Sequence, residues 1–216
     1  MRSRPAPQHP FRFLELSAEL RNQIYEFLLV DHKPFWPTLQ TIYRCESSIN
    51  AAILRVCRQT HEEATAMLYA SNTFQGYREH IFATWLPSIG RNIKHIRSLE
   101  VDHVQTAAFF YEMLPPLKKA ISLQRLDLSY IEPNWKAEEL AKMVAPFMRA
   151  IHRARKRKDG DRVEGVLDML VLPRYYDCKE EEQVKALIAF ALDFPAERWK
   201  DASRQERLVI GREISK

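Results

Sequence analysis

Residues 54–74, LRVCRQTHEEATAMLYASNTF, bring a cysteine, a histidine, two adjacent glutamates and two arginines into one short stretch. Cys57 and His61 are four positions apart, so on a helix they face the same side one turn apart, as half of a metal site would. A structural zinc needs two further ligands. Cys45 and Cys178 stand alone, no CxxC occurs, and no second Cys/His pair has ligand-like spacing. A metal is therefore not assigned: Cys57 is expected to pack, with His61 at the surface or as a cap. Glu62 and Glu63 diverge by about 100° around a helix, so they cannot converge on one substrate atom as acid and base. HEEA also lacks the second histidine of HExxH. Glu63 is expected instead to pair with an arginine of the first or second helix.

No GxSxG, GxxxxGK[ST] or GxGxxG occurs, and five glycines leave little for phosphate-cradling loops. No catalytic residue or cofactor is assigned, and the chain is expected not to be an enzyme. The densest charge run, HRARKRKDGDR, gathers Arg153, Arg155, Lys156, Arg157 and Lys158. Such a run suits a nuclear localisation patch or phosphate contacts. It equally suits a solvated helix end, where cations complement the dipole before a D-G turn. Without interleaved aromatics the second explanation is preferred. A nuclear or nucleic-acid-associated role stays as the alternative.

The elements around these residues are ordinary for a globular chain of 216 residues, with 46% hydrophobic and 28% charged residues and a formal charge of +5. Residues 1–10 hold three prolines and no apolar signal-peptide core. They are expected as a disordered lead-in to a soluble intracellular protein, cytoplasmic or nuclear, without membrane contact. Apolar residues at Leu16, Leu20, Ile24, Phe27 and Leu28 predict a first helix capped by Ser17. A second helix is predicted over 48–70, striped by Val56, Cys57, Thr60, Ala64, Met67 and Leu68. SNTF should break it. A third helix follows at 79–86, with Trp85 in the core. Residues 31–47 are expected as a loop with an extended piece at 41–43.

The pattern then alternates. Residues 96–104 and 123–131 read as half-buried strands, and VEGVLDMLVLP as a third. Between them lie a helix over TAAFFYEMLPPLKKAI, interrupted at Pro115 and Pro116, and a long one over 134–157. Helices at 179–191 and 196–207 are predicted to end the chain. Strand–helix–strand units predict parallel pairing with right-handed crossovers. The expected fold is therefore mixed, α+β or α/β: a helical module at 11–90, then an irregular, leucine-rich-like strand–helix region at 91–216, packed as one unit.

The wording of the helices adds a resemblance. LSAELRNQIYEFL (16–28) resembles the opening of an F-box, L-P-x-E-[LI]-x-x-x-I-x-x-x-L. ILRVCRQTHEEA and LYASNTF resemble the later part of the fungal F-box-like family. FATWLPSIGRNIKHIRSLEVD resembles the helix, I-G turn and extended segment with which that family continues. The resemblance covers about residues 11–104, half the chain. Ser17 stands where the family usually carries proline; either residue suits a helix start. The resemblance implies a protein-interaction module, in its most specific form a substrate receptor of a cullin-type ubiquitin ligase. Leu14, Leu16, Leu20, Ile24 and Leu28 would dock the adaptor subunit, and the C-terminal half would select an unknown target protein.

Overall fold

In the computed structural model, residues 12–35, 49–76, 79–102, 104, 106–132, 135–159 and 163–193 are described. A 3-10 helix at Phe13–Glu15 leads into α1, Ala18–Leu29. Ser17 caps it as expected: its backbone is extended and its hydroxyl accepts the Leu20 N–H.

The second predicted helix is broken. Its first part is a 3-10 helix, Ala51–Arg55, started by the Asn50 side chain, which accepts from Ala52 N at 3.2 Å. Cys57 then extends fully (φ −160°, ψ 173°), and its sulfur accepts the Thr60 N–H to open α2, Arg58–Ser71. Two side chains offer the backbone local bonds in place of a continuous ladder. Cys57 is thus a half-buried cap and not a packed core residue. The stripe also loses its phase: Thr60 and Ala64 are buried, while Val56 is 62% exposed.

SNTF ends the helix as expected: Ser71 is the last residue of α2 and Asn72 its extended C-cap. Asn72 is buried, donating to the carbonyls of Leu29 and Leu68 and accepting from Asp31 N. It joins the ends of α1 and α2, and the chain leaves it as a strand, β1, Thr73–Gly76. Phe35 bridges to Phe74 along the outer edge of β1. Helix α3, Glu79–Ser88, packs close: a Cβ on Gly76 would meet the Phe82 ring at 2.3 Å. The I-G turn after α3 uses Gly90 with φ +55°, which only glycine adopts cheaply.

The other strands are β2 (Ser98–Asp102), β3 (Arg125–Tyr130) and β4 (Leu170–Val171). All are parallel and adjacent in chain order, with Leu99 opposite Leu126 and Leu126 opposite Leu170. This is the mixed α/β class, with the parallel pairing that the strand–helix–strand pattern predicts. The crossovers are α4 (Ala107–Leu117) and α5 (Ala137–Asp159) with α6 (Val163–Leu167), and α7 (Cys178–Asp193) follows β4. The helices share one core over the sheet. Phe74, Leu99, Val101, Leu126, Leu128 and Leu170 fill it with Phe109, Phe110, Val144, Phe147 and Ile188.

Two boundaries differ from expectation. Pro115 and Pro116 do not interrupt α4, because they sit in its last turn. There the carbonyls they leave unpaired belong to Tyr111 and Glu112, both exposed residues. VEGVLDMLVLP opens as the short α6, Val163–Leu167, and holds only two residues of strand. The extended piece predicted at 41–43 and the helix at 196–207 fall outside the described residues. No helix among the described residues is long and apolar enough to cross a membrane.

Candidate protein-docking surface

Helix α1 carries more apolar residues than one face can hold. Tyr25 and Leu29 are fully buried and, with Ala64 of α2, form a small core of their own, joined by Phe13, Leu28, Ile53, Met67 and others. This cluster is separate from the core over the sheet, which α3 and β1 join through Phe82, Leu86 and Phe74. Tyr69 of α2 links the two regions, stacking on Phe74 with centroids 5.7 Å apart.

The opposite side of α1 is apolar and carries exposed residues, with no described element packed over it. Leu20, Ile24 and Phe27 recur at helical spacing. Leu20 is 48% and Phe27 85% exposed, with Ile24 intermediate. Leu14, on the preceding 3-10 helix, is 44% exposed, and Leu16 is intermediate. Of the five residues expected to dock, Leu14 and Leu20 are open and Leu16 and Ile24 partly so. Leu28 packs on the small core instead. The sequence reading had placed Phe27 in the apolar stripe but not among the docking residues. Its signal was a surplus of apolar positions around a 12-residue helix, enough for two faces.

The glutamate that suggested acid–base chemistry fixes this surface in place. Glu63 accepts from Arg21 Nε and Nη2 at 3.0 and 2.9 Å, from Tyr25 Oη at 2.9 Å and from Gln59 Nε2 at 2.9 Å. The predicted arginine pair is therefore present, between α1 and α2. The bonds from Arg21, then those from Gln59 and Tyr25, favour the carboxylate and hold its pKa down at about 2. Arg21 Nη1 donates to the carbonyls of Leu16 at 2.6 Å and Leu14 at 3.5 Å, tying the Leu14–Leu16 segment to the same anchor. Glu62 points elsewhere, pairing with Arg58 at 3.5 Å on the exposed side of α2. Cys57 and His61 do not converge: the sulfur caps α2, while His61 Nδ1 lies 2.9 Å from the Leu54 carbonyl. Among the described residues no group of three or more His, Cys, Asp or Glu is placed to hold a metal ion.

The basic run divides. Arg153 and Lys156 are exposed, but Arg155 is half-buried and donates to the carbonyls of Ile121 and Leu123. That side chain fastens α5 to the loop before β3. The side chains of Arg157 and Lys158 lie outside the described residues. In comparisons with known proteins, no family model, curated protein or solved structure matches the chain.

Proposed function

We propose that the chain is a non-enzymatic protein-interaction module which docks a partner through α1, most specifically as a substrate receptor of a cullin-type ubiquitin ligase. The observation that carries this is the open Leu20–Ile24–Phe27 stripe on a helix whose other side is locked by Tyr25, Leu29 and the Arg21–Glu63 pair. A large exposed aromatic on a rigid helix is the geometry of helix-in-groove recognition, where i, i+4, i+7 anchors enter an apolar groove. Isolated exposed apolar residues are common on any surface; a contiguous stripe on one rigid element marks an interaction site. The ligase assignment adds the F-box resemblance of residues 16–28, and Ser17 serves the helix start there as a cap.

Co-purification tests the assignment. Tagged protein should recover the ligase's adaptor subunit from a fungal lysate, and Leu20→Glu with Phe27→Glu should abolish recovery while leaving the melting temperature unchanged. If the wild-type protein recovers no adaptor where a proline-bearing F-box control does, the ligase assignment fails.

A further inference from the structure

Two polar side chains of α5 are buried with atoms that no protein group among the described residues satisfies. Arg149 is 7% and His152 6% exposed. Arg149 Nε donates to the Ala191 carbonyl in the last turn of α7 at 2.8 Å. Its Nη2 and the Nδ1 of His152 are shut off from solvent and find no hydrogen-bond partner there. Three positions apart on a helix, the two side chains are neighbours on one face. Arg153 and Lys156 continue that face by one and two turns, and both are exposed.

An arginine is rarely buried without a counter-charge, because it cannot shed its proton and an unpaired buried charge is costly. Here the helix carboxylates gather at the wrong end. Helices α5 and α7 run parallel: Tyr176 before α7 donates to the Trp135 carbonyl before α5, and Arg149 donates to the end of α7. Glu138 and Glu139 lie in the first turn of α5, and Glu180 and Glu181 in that of α7. At about 1.5 Å per residue, Glu139 is about 15 Å from Arg149 along the axis. The end of α7 supplies only a partial negative charge, about half of one. Burial, and then repulsion from Arg153, disfavour the Arg149 charge and lower its pKa.

We infer that Arg149 and His152 bind a compact oxyanion of phosphate's size at the end of the α5–α7 contact, a site independent of the docking surface on α1. A water would satisfy the free N–H but leave the charge uncompensated. An oxyanion does both, through charge-assisted bonds. The planar guanidinium offers further N–H groups beside the one that α7 occupies, and the imidazole adds another. Burial of both side chains suits a small free anion, whereas a polymer would need an open groove. The exposed Arg153 and Lys156 on the same face draw anions toward it.

The test is thermal melting of the full-length protein in phosphate against chloride at equal ionic strength. About 20 mM phosphate should raise the melting temperature by about 3 °C or more, the size expected when free ligand exceeds a millimolar Kd. The rise should saturate, and sulfate should reproduce it. Arg149→Met and, separately, His152→Leu should each remove most of it. General salting stabilises any fold, does not saturate, and survives both substitutions. The Arg149 Nε–H signal of the isotope-labelled wild-type protein should move during the same titration and level off, which decides the matter should a variant fold poorly. No rise, an equal rise in wild type and folded variants, or an unmoved Arg149 signal would each overturn the inference. The first is the result expected of a site filled by water. Adaptor recovery bears on none of these outcomes.

Discussion

Replacing Phe27 by alanine separates docking from stability, and the size of both effects follows from exposure. The ring is 85% exposed, so its removal takes almost nothing from the fold. Surface changes of this kind shift stability by no more than about 0.5 kcal/mol. If a partner groove buries the ring, the complex loses the transfer free energy of a phenylalanine side chain, about 1.5–3 kcal/mol. That is roughly a 10- to 150-fold weaker Kd. Leu29, two residues further along the same helix, provides the contrast. It is fully buried in the small core, and Leu29→Ala should cost about 2–5 kcal/mol of stability. Urea unfolding of both variants gives the stability change, and calorimetric titration with purified adaptor subunit gives the affinity of Phe27→Ala. A Phe27→Ala variant that loses more than about 1 kcal/mol of stability would show a packed ring. One that keeps full affinity would show that α1 is not the docking element.

Two further outcomes test the framework beneath that surface. Glu63 titrates at about 2 in the fold against an ordinary value of 4.5, so its anchoring is fully present above about pH 4.5 and fades as pH falls toward 2. Stability measured from pH 6 to pH 2 should fall more steeply for the wild-type protein than for Glu63→Gln over that interval; parallel curves would mean that the Arg21–Glu63 pair is not maintained in solution. Gly76→Ala should cost about 1–3 kcal/mol, because the new methyl must displace the fully buried Phe82 ring. A variant of unchanged melting temperature would place α3 further from β1 than the structure has it.

Where sequence reading succeeded, the signal was local and periodic. Leu99, Leu126 and Leu170 stand out as apolar positions within alternating or apolar runs, and they are the positions that pair across the sheet. Ser17 before AELRNQI marks a helix start because its hydroxyl can reach the third N–H beyond it, whatever the rest of the chain does. Glu63 was expected to find an arginine, since a carboxylate between two packed helices is rarely left unpaired.

Where it failed, the deciding contact was distant or the signal too short. The break at Cys57 has no proline or glycine to announce it; a thiol and an asparagine side chain simply capture nearby N–H groups. β1 spans four residues, too few for a period, and exists because β2 and Phe35 pair with it. The sequence by itself determined the mixed α/β class, the positions of β2 and β3 and the presence of an apolar first helix, because each follows from residue types within a few positions. Only the tertiary structure decided which side of α1 faces solvent. Tyr25 and Leu29 turn toward α2 because Arg21 and Tyr25 reach Glu63, 42 and 38 positions away, and that pairing leaves Leu20 and Phe27 outside.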